Sequence, residues 1–491
     1  MNSPYPHPEQ FPRSDPPSTP EAMRDLRPVT AREHLKLDAR NCSGFQSFVT
    51  QRAFLGSELL LRQLIPGHRN LIPSRPEIFS EAQLRMHLPA DRPTLGFTLS
   101  NPNKEMVLVA MAAAHMRKIG EFSYNTLFIP PNCLGAAYVK ETQDGCRLFT
   151  RRGIVVSADG GWQEGKFAVP VPIDLVGTFS GKENALLQTA EKFGIPFLND
   201  QRAFDTGRNK ALTKKLLSDL GIQSPASFII DVDTPQDQWM SGLLRFVAQH
   251  EIGEVVVKPT SGSHGTGVTF HRSTDTGAIK RTITRNLAAD APAVIIDERI
   301  PSYPVFSTRG HREDWNIRLL VGMNGIIDSE ARVIEWGCVV NKAKGAHIEE
   351  VDQVLERARL SPEERREIIE RVNTTGLAIA RALRANYLGI DIIIAADREV
   401  FVLEVNSGAV GGLVSLAEIR PHNQRLLAPT RFLKTLDSHP VTSINRPAVA
   451  LRGEIHELIP DPFAKPVVRA ELNRYLQMHL KAKKPGKREN P

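Results

Sequence analysis

The chain has 491 residues, 41% hydrophobic and 24% charged, with 62 basic and 55 acidic residues and a formal net charge of +7. That length corresponds to roughly three domains. The composition is that of a globular protein with a real core, and no apolar run is long enough to span a bilayer, so we expect no membrane partner. The mild positive balance suits anionic small ligands; bases and acids are interspersed, so we expect no nucleic-acid partner. Cys42, Cys133, Cys146 and Cys338 are scattered without paired metal spacing. They read as free thiols in a reducing compartment, and the expected location is cytoplasmic.

Residues 1–30 carry eight prolines and no apolar signal core, which predicts a disordered lead-in. Residues 31–91 form an N-terminal extension with a helical stretch around Phe48–Leu64. An α/β pattern begins near 92. It runs as a strand at Thr94–Ser100, an Ala/Met-rich helix at Lys104–Ile119, a strand at Asn125–Pro130 and hairpin material over 136–171. A strand at Ile173–Phe179, a helix at Glu183–Phe193 and a strand at Ile195–Asn199 complete it. Strands alternating with helices predict a small open, partly parallel sheet over 92–200. The character changes near 201. A basic amphipathic helix over Asn209–Leu220 is stopped by Gly221, and Pro225 precedes a strand at Ala226–Ile230. Ser361-Pro362-Glu363-Glu364 is a helix start with Ser as N-cap, Pro in the first turn and Glu three residues after the cap. Residues 429–491 read as an extension with a basic, solvated tail at Lys481, Lys483, Lys484, Lys487 and Arg488.

The chemistry concentrates in three places. The first is a hairpin, Leu388–Ile394 followed by Val400–Asn406. Alternation puts Glu404 and Asn406 on one face, with Phe401, Leu403 and Val405 on the other. A turn centred on Asp397-Arg398 puts Asp391 directly opposite Glu404. Like charges so opposed are destabilising unless neutralised. A hard divalent cation would neutralise them, and Mg²⁺ takes few carboxylates and keeps its other positions for water and phosphate. An exposed acidic hairpin satisfies the same residues.

The second is the β-branched strand Glu254–Pro259, which delivers Lys258 at its end, followed by Thr260-Ser261-Gly262-Ser263-His264-Gly265-Thr266-Gly267. Glycines let backbone N–H groups converge on phosphate oxygens, and small hydroxyls add donors. No Lys-Ser/Thr follows the last glycine, so this is not a Walker loop. His264 reads as a phosphate contact or as a loop-surface histidine. The third is the run Val294–Ile300, ending in Glu298, Arg299 and Ile300, then Asp314–Gly322, Ala331-Arg332-Val333 and Asn341–Ala346. Arg318 and Arg332 sit in strand-like apolar runs. They belong either to a site or to a solvated strand face.

In order, these blocks resemble the ATP-grasp superfamily over roughly 200–425. The blocks are Lys210 ahead of Gly221-Ile222-Gln223-Ser224-Pro225, the loop KPTSGSHGTGV, the segments DERI, NIRLLVG and NKAKGA, and the pair YLGID and VLEVN. Within the superfamily the chain resembles the glutathione synthetase and ribosomal-protein glutamyl ligase group. The preceding region, from Gly153 to Leu175, is more loosely similar to the YheC/YheD type. The resemblance implies an α/β and α+β protein: two α+β lobes, 201–299 and 300–428, clamping ATP, preceded by a small open α/β domain at 92–200. It implies that Lys210 and Lys258 contact nucleotide phosphates, that the loop Ser261, Gly262, Ser263, His264, Gly265, Thr266 and Gly267 closes over them, and that Glu298, Arg299 and Ile300 form the adenine-side hinge. Arg318 and Arg332 would stabilise the transferring phosphoryl group, Asn341 would lie near metal or phosphate, and Asp391, Glu404 and Asn406 would hold Mg²⁺. One position departs from the glutamyl ligase pattern, with Asn316 where Asp is usual, and leaves the ribose contact open. The implied reaction is ADP-forming carboxylate–amine ligation through an acyl phosphate, with a carboxylic acid and an amine, small molecules or peptides, as substrates. A homodimer is compatible with the resemblance. Two other readings stay open: a nucleotide-binding structural or regulatory protein without turnover, and a phosphotransferase of the same fold.

Overall fold

A computed structural model describes residues 74–98, 120–129, 137–142, 145–156, 162–178, 198–199, 201–261, 265–289, 291–337, 339–407, 410–421, 424–437 and 456–457, with isolated positions between 105 and 116. The expected lead-in, the Phe48–Leu64 and Glu183–Phe193 helices and the basic tail lie outside the described residues.

The first unit is an eight-stranded mixed sheet. Its strands are β1 (Ser74–Phe79), β2 (Thr94–Thr98), β3 (Asn125–Ile129), β4 (Ala137–Thr142), β5 (Gly145–Val156), β6 (Trp162–Ile173), β7 (Leu175–Thr178) and a short late strand at His456–Glu457. It is larger than the small open sheet expected. The hairpin strands β4 to β6 join the parallel β3-β2-β7 set, through antiparallel pairing of β5 with β3. Leu198 and Asn199, expected in a strand, form a bend. Asn199 is a staple here. Its amide donates to the carbonyls of Tyr387 and Ser407, and its oxygen accepts from the N–H groups of Asn386 and Tyr387. Positions 105, 108, 109, 112, 113 and 116 are helical, and all but Glu105 are fully buried.

Two antiparallel sheets follow. The four-stranded one has the order β10-β9-β11-β8, with β8 at Ser227–Asp231, β9 at Glu254–Pro259, β10 at Thr269–Arg272 and β11 at Ala293–Glu298. Helices Gln236–Gln249 and Thr276–Ala288 cover it, through Trp239, Leu243, Phe246, Ile279 and Ile283. The six-stranded sheet is built on β13 (Arg312–Gly322), β14 (Gly325–Glu335), β16 (Leu388–Ile394) and β17 (Val400–Asn406), with the short strands β12 (Val305–Phe306) and β15 (His347–Glu349) on its flanks. Its core face packs on the long helix Pro362–Ala382, which opens with the expected capping box between Ser361 and Glu364. The helices Gln201–Arg208 and Lys210–Asp219 bury Ala203 and Leu217 in this same core.

Alternation sorts β13. Trp315, Ile317, Leu319 and Val321 face the helix core, while Asn316 and Arg318 turn the other way. Both Arg318 and Arg332 are buried, at 6% and 8% exposure, which removes the solvated-face reading of these arginines. A second core is shared. Leu95, Phe97, Leu108 and Phe128 of the first unit cluster with Leu320, Tyr387, Leu416, Phe432 and Leu433, the last two from the helix Leu427–Asp437, which straddles the expected boundary at 429.

Gly207, in the helix ahead of Lys210, lies against Ser407 at the end of β17. A Cβ there would sit 2.2 Å from the Ser407 hydroxyl and 2.8 Å from its backbone nitrogen. Overpacking against backbone outweighs the gain in helix propensity. Gly207→Ala is therefore expected to lose about 1–2 kcal/mol of stability, read as a lower urea midpoint with unchanged m-value.

Candidate functional site

The side chains singled out above converge on one cavity of about 810 Å³ between the four-stranded and six-stranded sheets. Lys210, Lys258, Gly265, Thr266, Glu298, Arg299, Ile300, Arg318, Arg332, Asn341, Asp391, Glu404 and Asn406 all line it. Ser261 is exposed and does not line it. Gly267 stands just behind, its carbonyl accepting from the Asn286 amide at 3.0 Å. Gly262, Ser263 and His264 lie outside the described residues. Gly265 and Gly267 adopt φ of 69° and 75°, a left-handed backbone that favours glycine.

Local chemistry sets each position. Asn209 caps the helix after it, its oxygen accepting from the Ala211 and Leu212 N–H groups, and so puts Lys210 in the first turn, buried and 3.5 Å from Glu404. Lys258, near the end of β9, meets Asp297 of β11 at 2.6 Å, and Lys214 reaches the same carboxylate at 3.4 Å. Burial alone would lower the Lys258 pKa, but Asp297, by charge and hydrogen bond, outweighs it and holds the ammonium above its usual range. Asp297 is the mirror case: burial would raise it, and Lys258 and Lys214 bring it below the usual carboxylate range. Lys214 lacks that balance. Burial pulls it down to about 8, against the Asp297 charge. Just after β11, Arg299 pairs with Glu254 at 2.8 Å and Asp314 at 3.0 Å, and lies over the rings of Phe270 and Trp336.

Deeper in, Arg318 grips Asp391 with two bonds, 2.6 and 2.9 Å, and its remaining terminal nitrogen donates to the Val410 carbonyl. Gly389 makes room for this; a Cβ there would sit 2.7 Å from that nitrogen. Arg332 bonds Glu330 at 2.9 Å and stands 3.5 Å from Asp391. Glu330 is fully buried, and burial keeps its pKa raised despite Arg332 and Arg318.

The hairpin has the expected pairing of Asp391 with Glu404, but for an unexpected reason. The register slips between Asp391 and Ile392, where Ile392 faces Val402, so Leu403 is an extra, bulged residue. Val400 and Val402 face the core on one side of the bulge and Val405 on the other. Leu403 consequently lines the cavity with Glu404 and Asn406, and does not share a face with Val405 as expected. The neutralising charge comes from the chain itself: Arg318 and Arg332 balance Asp391, and Lys210 balances Glu404. Among the described residues no group of three or more His, Cys, Asp or Glu is placed to hold a metal ion. The donor set is two carboxylates and the Asn406 amide, whose nitrogen donates to the Gly389 carbonyl at 3.3 Å and leaves its oxygen for a ligand. Two carboxylates and an amide oxygen fit Mg²⁺, which fills its other positions with water and phosphate.

Asp297, Lys214, Glu330 and Glu105 were missed in the sequence. Glu105 also lines the cavity. An acid on the otherwise apolar helical face 105, 108, 109, 112, 116 is the signal that could have found it. The Asn316 side-chain oxygen, at the position that departs from the glutamyl ligase pattern, is buried in the cavity wall without a hydrogen-bond partner.

Residues 207–413 match the RimK-like ATP-grasp domain family. The chain carries a RimK-like ATP-grasp domain. Every cavity-lining residue named above, except Glu105, falls inside the matched span of this domain. No curated protein matches the chain. Solved structures similar to it include the VanG D-Ala:D-Ser ligase from Enterococcus faecalis, at 14% identity, TM-score 0.43, and 70% and 98% coverage of this chain and that one. A D-alanine–D-alanine ligase from Bacillus anthracis complexed with ATP is similar at 17% identity, TM-score 0.41, with 70% and 95% coverage. A RimK domain protein from Sphaerobacter thermophilus is similar at 13% identity, TM-score 0.41, with 70% and 98% coverage.

Asp297→Asn leaves Lys258 and Lys214 buried without a counter-charge and should cost about 3–5 kcal/mol in urea unfolding at pH 7. Because the Asp297 pKa is depressed on folding, its contribution is present above the ordinary carboxylate range and lost as pH falls through the folded value. The gap between wild type and variant should stay nearly constant from about pH 5 to 7 and shrink below about pH 4.

Proposed function

We propose that the protein is an ADP-forming carboxylate–amine ligase, joining a carboxylic acid and an amine through an acyl phosphate. The observation that carries this is the cavity wall, where Lys210, Lys258, Arg318 and Arg332 meet Asp391, Glu404 and Asn406. That is a set of fixed cations and hard oxygen donors, suited to phosphoryl transfer onto a carboxylate rather than to covalent nucleophilic catalysis.

In this reading the acid's carboxylate oxygen attacks the γ-phosphorus and ADP leaves. The amine nitrogen then attacks the acyl carbon, the C–O bond breaks with its electrons going to phosphate, and nitrogen gives up a proton to complete the amide. Lys258 and Lys210 bind the nucleotide phosphates. Their carboxylate partners hold them oriented before the nucleotide arrives, so little reorganisation remains to be done at the reacting stage. Arg318 and Arg332 meet charge developing on the transferred group, held by Asp391 and Glu330 respectively. Of the phosphate loop, Gly265 and Thr266 face the phosphates. Glu298, Arg299 and Ile300 form the base-side wall, with the stacked Arg299 as its rigid part. Asp391, Glu404 and Asn406 would hold Mg²⁺, with Asn341 nearby; bound there, the ion neutralises phosphate charge.

The test is ADP and phosphate release from Mg²⁺–ATP with acids and amines supplied singly and in pairs. Release that needs both partners is expected, and a stable phosphorylated product with a non-carboxylate acceptor would overturn the reading. Glu404→Gln should lower the rate by at least 100-fold with the unfolding curve unchanged within about 1 kcal/mol. Lys258→Ala should weaken nucleotide binding about 10-fold or more by calorimetry; Lys214 remains to balance Asp297 in that variant.

A further inference from the structure

The turn that gives Arg318 its third partner leads into a helix with no side-chain cap of its own. The Val410 carbonyl accepts from Arg318, Gly411 and Gly412 follow at φ of 66° and 114°, and a seven-residue helix begins at Leu413. Gly412 is the N-cap and has no side chain to offer, so the first N–H groups of that helix need an acceptor from elsewhere. Glu105 provides it from 308 residues upstream. One carboxylate oxygen accepts from the Leu413 N–H at 3.1 Å, the other from the Val414 N–H at 3.2 Å, and Tyr387 donates its hydroxyl at 3.4 Å.

We infer that Glu105 is a positioning residue: the first α/β unit uses its carboxylate to hold the Val410–Val414 turn, and through the Val410 carbonyl it fixes the Arg318 guanidinium. Three observations converge on this. A regular helix would leave an acid at position 105 among apolar neighbours at a desolvation cost, and the turn N–H groups are what that cost is set against. Each of the three Arg318 nitrogens donates once, Nε and Nη2 to Asp391 and Nη1 to Val410, so moving the turn removes one of three restraints while two N–H groups stay available to a ligand. Gly389 leaves the space this arrangement needs, since Val410 and Arg318 both stand 2.7 Å from where its Cβ would be.

The environment also makes the hold sensitive to pH. Burial pushes the Glu105 carboxyl up to about 7 against the Val414 and Leu413 bonds; Glu330 raises it further, and the Tyr387 hydroxyl opposes this. Ionised, the carboxylate accepts at both oxygens. Protonated, one oxygen becomes a donor and the grip on one of the two N–H groups weakens.

Amide hydrogen exchange of the full chain tests this without requiring turnover. Glu105→Ala should speed exchange in 410–416 at least 10-fold while β11, 293–298, is unchanged. In wild type, exchange of 410–416, corrected for intrinsic chemistry, should accelerate as pH falls through about 7. Glu105→Gln keeps the volume and one acceptor, and should abolish that pH step. Equal protection of 410–416 in all three proteins overturns the inference, as does a pH step that survives in Glu105→Gln. The effect on chemistry rests on the ligase reading. Given ADP release in wild type, Glu105→Ala should lower kcat with the KM for ATP unchanged. Absence of release in wild type would count against that reading and leave the exchange result to decide the role of Glu105.

Discussion

The bidentate bond between Arg318 and Asp391 organises the middle of this molecule. Two ions buried to this degree cost several kcal/mol each in lost hydration, and only near-complete hydrogen bonding recovers it. The surroundings follow from that demand. The pair is cross-strand, at directly opposed positions of β13 and β16, so the register of those strands is tied to it. Glu330 stands opposite Arg318 on β14, and Arg332 beside it shares the Asp391 charge. Gly389 is small where the guanidinium passes, and the Val410 carbonyl closes the set.

The same logic repeats at the other end of the cavity. Asp297 holds Lys258 and Lys214 as Asp391 holds Arg318, and Lys210 answers Glu404. Acids and bases alternate around the wall, and each fixed cation is aimed by a carboxylate: Lys258 and Arg318 by one on the neighbouring strand, Arg332 by Glu330 on its own strand, and the helix residues Lys210 and Lys214 by Glu404 and Asp297. An anionic ligand entering such a site competes with carboxylates already there. It gains in orientation some of what it gives up in attraction. Lys214 is the imbalance in the set: burial holds its pKa down, and Asp297, shared with a closer lysine, does not offset it.

Much of this was legible in the sequence because it is local. A capping box, a basic helix over 209–220, a β-branched strand ending in lysine and a strand-like apolar run around Arg318 are all read over a handful of residues, and each stands where expected. The pairing of Asp391 with Glu404 was legible too, although the even alternation behind it was not real: the bulge at Leu403 is a tertiary accommodation with no composition signal. Asp297 was hidden for another reason. It sits in an apolar strand ending in charge, and only pairing with β9 shows that its carboxylate belongs to Lys258. Glu105 depends on contacts across some 300 residues, which periodicity cannot see.

The shared core has a consequence for where this protein can be cut. The matched span 207–413 stops at the first residue of the helix Leu413–Ile419 and omits Phe432 and Leu433, which pack with Leu320 and Tyr387 of the sheet inside the span. It also omits Phe97, Leu108 and Phe128 on the other side of that core. A fragment trimmed to those limits would carry an apolar face meant for the rest of the chain, would lose the helix that starts at Leu413, and would leave the Val410 turn and Arg318 short of support. The unit that evolution repeats and the unit that physics holds together are different lengths of this polypeptide.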